Sequence, residues 1–224
     1  MGLILNLETA TTNCSVCLAK DGEVIAIREN NTPNYSHAEQ LHVFIDECLS
    51  ETNYSPKDLD AIAVSKGPGS YTGLRIGVSA AKGLCFALDI PLISIATLKS
   101  MASQASTTKS DYIIPVLDAR RMEVYSAVFD NHLNPIRETL AEIIDEGSFK
   151  EYLLEGKVYF LGSGAAKIKD ILKNDNAEFI FECVPSSREM AKLSHDKYKS
   201  GEFEDVAYFE PYYLKDFMIT KKKG

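Results

Sequence analysis

The sequence predicts an α/β fold in which one order of strands and helices occurs twice. Three strand patterns open the first half, and the turn signal Asp21-Gly22 joins the second to the third as a hairpin. Alternating helix and strand patterns follow, and the same β-β-β-α-β-α-β-α order restarts at Tyr112. Two such units in tandem give two mixed sheets with helices packed on them.

The elements of the first half follow from hydrophobic periodicity. Apolar or alternating runs bounded by polar turns predict strands at 3–9, 14–20, 23–28, 61–65 and 91–95. Helical spacing predicts helices at 36–52 and 72–88 and a third that begins at Thr97. Ser36 and Glu39 have the spacing of a capping box, which places the start of the first helix at Ser36.

The second half repeats this plan. Strands are predicted at 112–117, 123–129, 136–144, 158–161 and 179–180, and helices at 148–154, 165–172 and 187–198. The polar stretch 103–110 divides an N-terminal subdomain, 1–105, from a C-terminal subdomain, 106–219. The Lys-rich tail 220–224 has no apolar side chain and is predicted to be disordered. The duplicated plan is that of the ASKHA fold, the RNase H-like fold of actin, hexokinase and Hsp70.

Composition and charge narrow the possible functions. The chain has 224 residues, and 24 Lys and Arg against 32 Asp and Glu leave a net charge of −8, so nucleic acid meets no broad basic surface. No apolar run approaches the length of about 18 residues that spans a membrane, and the N-terminus lacks the basic region of a signal peptide. Five cysteines are an odd number and fit a reducing compartment. We therefore expect a cytoplasmic protein with no membrane partner.

The most specific local signal is a glycine-rich loop between a buried strand and a helix. It reads Ser-Lys-Gly-Pro-Gly-Ser-Tyr-Thr-Gly-Leu-Arg-Ile-Gly over residues 65–77. Exposed amides at a helix N-terminus suit an anion, but the glycine spacing matches no Walker loop, dinucleotide fingerprint or nucleophile elbow. A tight turn with Ser70 or Thr72 as the N-cap is the favoured interpretation, and a nucleotide phosphate site is the alternative.

The helix after this loop carries small side chains on one face. Gly73, Gly77, Ala80 and Ala81 follow one another at helical spacing. A glycine inside a helix costs about 1 kcal/mol relative to alanine, and close approach of another backbone would offset that cost. The neighbour is either an element of the same chain or a helix of another subunit, and the composition fits both equally.

The remaining candidates for chemistry carry weak signals. Glu8 lies in the N-terminal hairpin where kinases of this superfamily hold phosphate, but the hairpin has no glycine that would let a phosphate approach. Asp118 and Arg120 are either ligands or a pair that fixes a turn, with the turn favoured. The histidines and cysteines lack the spacing of metal ligands. The sequence therefore predicts no catalytic, cofactor-binding or metal-binding residue.

Four segments resemble the TsaB (YeaZ) family: ILNLETATTNCSVCLAKDG at the N-terminus, SKGPGSYTGLRIGVSAAKGL, PVLDARRMEVYSAVF and the late PYYL. The resemblance covers nearly the whole chain, and its segments come in the family's order. Glu8, where the family usually has Asp, and Lys215, where Arg is common, depart from the pattern. The resemblance implies the ASKHA fold and a role in the synthesis of N6-threonylcarbamoyladenosine, the modified base beside the tRNA anticodon.

The resemblance also implies a non-catalytic subunit without a cofactor of its own. In the family, TsaB pairs with and stabilises its paralogue TsaD, which carries the metal and the transfer reaction, and the ATPase TsaE docks on that pair. ATP and metal are thus expected on the partner subunits, tRNA is reached through the complex, and the chain alone is expected to form a homodimer. An active small-molecule kinase of the same fold and a metallopeptidase relative are the alternatives.

The helices at 36–52 and 72–88 are predicted to contact TsaD as half of a four-helix interface. The expected contact residues are apolar or small, apart from one arginine at the rim. They are Leu41, Phe44, Ile45, Cys48, Gly73, Arg75, Ile76, Gly77, Ala80, Ala81 and Leu84.

Overall fold

Two five-stranded sheets form the centre of the fold. The computed structural model describes residues 2–32, 36–105 and 110–214. In this part of the chain, the first sheet contains β1 (Leu3–Glu8), β2 (Asn13–Lys20), β3 (Glu23–Asn31), β4 (Ala61–Gly67) and β5 (Leu92–Ala96). The second sheet contains β6 (Tyr112–Asp118), β7 (Glu123–Asp130), β8 (Pro135–Ile143), β9 (Val158–Leu161) and β10 (Ala177–Ile180).

Each sheet combines an antiparallel meander with parallel returns. The order is β3-β2-β1-β4-β5 in the first sheet and β8-β7-β6-β9-β10 in the second. β1 pairs antiparallel with β2 and parallel with β4, with Leu7 opposite Val64. β6 likewise pairs antiparallel with β7 and parallel with β9. This repeated topology is the ASKHA arrangement, so the predicted fold class is confirmed.

Six helices cover these sheets in the described ranges. They are α1 (His37–Glu51), α2 (Tyr71–Leu88), α3 (Thr97–Ser103), α4 (Lys150–Glu155), α5 (Ala165–Ile171) and α6 (Ser187–Ser200). A short 3-10 turn at Pro56–Asp58 was not predicted, whereas every predicted strand and helix is present with its ends shifted by at most about three residues. None of these helices is both long and apolar enough to cross a lipid bilayer.

The start of α1 differs from the prediction. Ser36 is the N-cap residue, but its side chain makes no capping hydrogen bond, so the predicted capping box with Glu39 is wrong. Ser36 has φ −117° and ψ 20°, whereas an N-cap side chain reaches back to the helix from the extended region. Only its backbone carbonyl takes part, accepting from the amides of Glu39 and Gln40 at 3.2 and 3.0 Å.

The first sheet is covered on both faces, and one covering helix comes from the second half of the chain. α1 and α2 pack on one face, where Leu5, Leu41 and Val78 belong to one buried cluster. α6 packs on the other face, where Met190 joins a cluster with Ile4 of β1. The two faces of this sheet are therefore covered by helices that lie far apart in the sequence.

α3 makes the reciprocal crossing. Although it follows β5, its Leu98 and Met101 join Leu117 of β6 in a core cluster of the second sheet. Each half of the chain therefore contributes a helix to the sheet of the other half. The stretch predicted to divide the subdomains, 103–110, includes residues 106–109, which lie outside the described residues. The tail at 220–224, which is predicted to be disordered, also lies outside them. The subdomain limits stay a prediction.

Candidate functional site

The glycine-rich loop between β4 and α2 packs directly on the N-terminal hairpin. The Ser70 amide donates to the Ala10 carbonyl oxygen at 2.6 Å. A Cβ atom at Gly69 would lie 2.3 Å from that same oxygen, so this contact requires glycine. The Ser70 amide, which a phosphate would need, is therefore already bonded within the chain.

Ser70 caps α2. Its side-chain oxygen accepts from the Gly73 amide at 3.3 Å, and its carbonyl oxygen accepts from the Leu74 amide at 2.9 Å. Its backbone is extended, as an N-cap requires. The interpretation of this loop as a turn with Ser70 as the N-cap is confirmed.

Glu8 lies fully buried beside this loop, at the end of β1. Its Oε1 accepts from the Ala10 amide at 2.6 Å and from Ser65 Oγ at 2.8 Å. Its Oε2 has no hydrogen-bond partner among the described residues. Burial, with a smaller contribution from repulsion by Glu189 on α6, raises the pKa of Glu8 from 4.5 to about 7. The carboxyl group is therefore enclosed by the fold rather than presented to a ligand in solution.

The first two small residues of α2 serve internal packing. A Cβ atom at Gly73 would lie 2.1 Å from the Thr9 carbonyl oxygen, and one at Gly77 would lie 2.2 Å from Thr9 Oγ1. Glycine at both positions lets α2 approach the end of β1. Of the two interpretations that the sequence left open, the structure selects internal packing for these two positions.

The predicted contact residues divide into a buried and an accessible set. The buried set faces the first sheet and consists of Leu41, Ile45, Cys48, Gly73, Gly77 and Ala81. Their prediction as contact residues is corrected, since side chains inside the core of their own chain cannot meet a partner while the fold is intact. The accessible set consists of Phe44, Arg75, Ile76, Ala80 and Leu84.

An open groove of about 730 Å³ lies along the outer surface of α1 and α2. It is lined by Ala38, His42, Tyr71, Thr72, Arg75, Ile76, Ser79, Ala80, Gly83 and Leu84. The sequence prediction included four of these residues and missed Gly83, which lies on the solvent side of α2. The available signal was the position of this glycine opposite the apolar stripe of the helix.

Arg75, which lines this groove, contacts the side chain of Tyr71. Its guanidinium carbon lies 5.4 Å from the centre of the Tyr71 ring, and its Nη1 donates to the Tyr71 hydroxyl at 3.5 Å. The Tyr71 ring in turn packs on Tyr213, with 4.8 Å between ring centres. The neighbouring Tyr212 amide donates to the Lys66 carbonyl at 2.7 Å and fixes this C-terminal segment beside α2.

The hairpin of the second sheet is fixed by Asp118. One carboxylate oxygen, Oδ1, accepts from the Arg120 amide at 2.6 Å and from Lys167 Nζ at 2.6 Å. The Asp118 amide donates to Ser163 Oγ at 3.1 Å. The interpretation of Asp118 and Arg120 as a turn-fixing pair is confirmed, with the contact made to the arginine backbone.

Potential metal ligands do not gather into a cluster of three or more His, Cys, Asp or Glu side chains in the described ranges. His37, at the start of α1, is buried, and burial lowers its pKa. Its Nε2 lies 2.7 Å from the Thr11 carbonyl oxygen. This contact ties α1 to the N-terminal hairpin.

Sequence comparisons with known proteins establish the family. The family model described as TsaD, tRNA N6-adenosine threonylcarbamoyltransferase, matches residues 32–217. The tRNA threonylcarbamoyladenosine biosynthesis protein TsaB of Escherichia coli K12 is 31% identical over 98% of this chain and 97% of its own length. The protein of the same name from Haemophilus influenzae is 30% identical over 98% of this chain and 96% of its own length. This chain belongs to the TsaB (YeaZ) family.

Two solved structures share the fold of this chain. A crystal structure of a Pseudomonas aeruginosa protein described as similar to the peptidase YeaZ has a TM-score of 0.86 and 24% identity, and the match covers 96% of this chain and all of that one. A structure of YeaZ from Pseudomonas aeruginosa gives a TM-score of 0.85 at the same identity. At this identity the likeness concerns the fold, and it agrees with the two sheets described above.

Proposed function

We propose that this TsaB-family chain is a non-catalytic subunit in the synthesis of N6-threonylcarbamoyladenosine in tRNA, and that it docks on a TsaD paralogue through the groove between α1 and α2. The curated relatives are named for this biosynthesis, and the family model is described as the threonylcarbamoyltransferase. The proposal includes a cytoplasmic location, TsaE on the assembled pair, tRNA reached through the complex and a homodimer of the free chain. It assigns ATP and metal to the partner subunits.

Gly83 is the observation that carries the docking proposal. Glycine in the middle of a helix costs about 1 kcal/mol relative to alanine. Gly73 and Gly77 are required by their contacts with Thr9, whereas a Cβ atom at Gly83 would meet no atom within 4 Å. Because nothing described within the chain requires glycine at this position, we attribute it to the close approach of a helix from another subunit.

The groove offers such a helix an apolar surface around Gly83. Ile76, Ala80 and Leu84 are half-buried against the core below them and leave their outer surfaces free, as does Phe44 on α1. Covering apolar surface contributes about 25 cal/mol per Å² of area removed from water. Small side chains also permit the short distance between axes at which ridges of one helix fit the grooves of another.

The docking proposal predicts that Gly83→Arg abolishes co-purification with the TsaD paralogue, because a long charged side chain would occupy the space that the partner helix needs. The fold should survive, since the new side chain points into solvent. Leu154→Arg is the matched control, since Leu154 is 72% exposed on α4 in the second half of the chain. Thermal unfolding checks the fold of both variants, and retained binding by a folded Gly83→Arg variant would refute the docking site.

The proposal assigns no reaction to the chain itself. We expect the purified protein neither to hydrolyse ATP nor to modify tRNA, whereas addition of the TsaD paralogue, TsaE, ATP and an activated threonylcarbamoyl donor should produce the modified nucleoside. Phosphate release and nucleoside chromatography measure the two activities. Turnover by the pure chain that disappears on Glu8→Gln would instead favour the kinase alternative.

A further inference from the structure

We propose that the groove between α1 and α2 selects its partner by an ion pair, in which Arg75 binds a carboxylate side chain on the docking helix of the TsaD paralogue. This inference rests on the docking function proposed above and adds one specific polar contact to it. It makes Arg75 a residue that determines specificity and register on a surface that is otherwise mostly apolar.

The charge distribution around the groove points to a partner carboxylate. Arg75 is the one lysine or arginine among the lining residues, and none of them is Asp or Glu. No carboxylate of the described residues lies within ion-pair distance of its guanidinium group. The chain has 32 acidic residues against 24 basic ones, so the lack of such a pair at Arg75 is not a shortage of carboxylates. A lone cation on an apolar docking face is satisfied by a partner of opposite charge.

The geometry also prepares Arg75 for that contact. The Tyr71 ring lies beside the guanidinium, with its centre 5.4 Å from the guanidinium carbon, and Tyr71 in turn packs on Tyr213 with the two rings tilted by 34°. Among the described residues, the guanidinium donates one hydrogen bond, from Nη1 to the Tyr71 hydroxyl at 3.5 Å. It keeps enough N–H groups for a bidentate contact with a carboxylate. Contact with Tyr71 restricts the Arg75 side chain, so binding loses less rotamer entropy than it would for an arginine without such a contact.

An RNA phosphate is the other anion that an arginine binds well, and the surroundings disfavour it. Nucleic acid binding relies on several cations spread along a surface. The groove provides one, among apolar and small side chains, on a chain with a net charge of −8. A protein helix with a carboxylate beside apolar residues matches both the charge and the surface.

The test measures the affinity of the purified TsaD paralogue for wild type, Arg75→Gln, Arg75→Glu and Arg75→Lys at about 50 and about 300 mM NaCl. We expect Arg75→Gln to weaken binding about tenfold, Arg75→Glu to weaken it further, and Arg75→Lys to fall between wild type and Arg75→Gln. Affinity of the wild type should decline with salt more steeply than that of Arg75→Gln. Arg121→Gln, at an exposed position in the β6–β7 turn, is the charge-matched control and should bind as the wild type does.

Charge reversal gives a second readout that a merely structural role would not produce. Each carboxylate on the docking helices of the TsaD paralogue is changed in turn to arginine, and one of these changes should restore the affinity lost in Arg75→Glu. Thermal unfolding of each variant confirms that the comparison is made between folded proteins.

Gly83→Arg separates the failure of the ion pair from the failure of the docking site. If Gly83→Arg abolishes binding while the Arg75 variants keep wild-type affinity and salt dependence, the ion pair is refuted and the docking site stands. If neither position affects binding, both proposals fall. If Arg75→Glu leaves the affinity for the TsaD paralogue unchanged but weakens tRNA binding by the assembled complex, the ligand is a phosphate and the carboxylate proposal is overturned.

Discussion

Among single residues, Glu8 makes the stability of the fold depend on pH. Its carboxyl group is buried on folding, and only one of its two oxygens accepts hydrogen bonds from the described residues. Its pKa is about 7 in the folded chain, against a reference value of 4.5. The folded state therefore binds the proton more tightly than the unfolded state does. Binding of this proton therefore stabilises the folded state fully below pH 4.5, and the stabilisation is lost as the pH rises to about 7. The total contribution to the free energy of unfolding is roughly 3 kcal/mol.

We predict that Glu8→Gln removes this loss, because glutamine keeps the acceptor oxygen for the Ala10 amide and Ser65 and never becomes charged. Urea unfolding at a series of pH values between 4.5 and 8 measures the effect. The difference in free energy of unfolding between variant and wild type should grow in favour of the variant as the pH rises. Glu146→Gln, at an exposed position, is the control, and parallel curves for Glu8→Gln and wild type would contradict the assignment.

Within α2, glycines at different positions have different physical origins. Gly73 is forced by a backbone oxygen 2.1 Å from where a Cβ atom would lie, and Gly83 faces open space. The sequence alone could not separate these cases, because helical spacing shows which positions share a face but not which face is covered. Periodicity identified Leu41, Ile45 and Cys48 correctly as an apolar stripe, and that stripe belongs to the core.

These two glycines predict opposite effects of the same substitution. Gly73→Ala should destabilise the protein by about 1–3 kcal/mol, since the Thr9 backbone must shift to make room. Gly83→Ala should stabilise it by up to about 1 kcal/mol, through helix propensity alone. Chemical denaturation of the two variants measures both changes. Equal effects of the two substitutions would show that the contact with Thr9 is not the reason for Gly73.

For the whole molecule, the sequence predicts the sheets better than the groove proposed above as a docking surface. The predicted ends of β9 match the observed ones, Val158–Leu161, because this short apolar run is bounded by glycine and polar residues on both sides. The groove was missed in part because Gly83, Ser79 and Thr72 carry no hydrophobic pattern. An exposed helix face lacks the hydrophobic periodicity that marks a core, and only the folded structure shows which side of a helix is left uncovered.

The crossing of α6 onto the first sheet has a consequence for how the protein is made. The strands of that sheet leave the ribosome well before the helix that covers one of their faces, because that helix begins at Ser187. Until then, Ile4 and its neighbours lack the partner they pack against at Met190. Contacts this distant in sequence form slowly, so the nascent chain exposes one apolar face of this sheet until α6 has been synthesised. Its yield in the cell should depend on chaperones that shield growing chains.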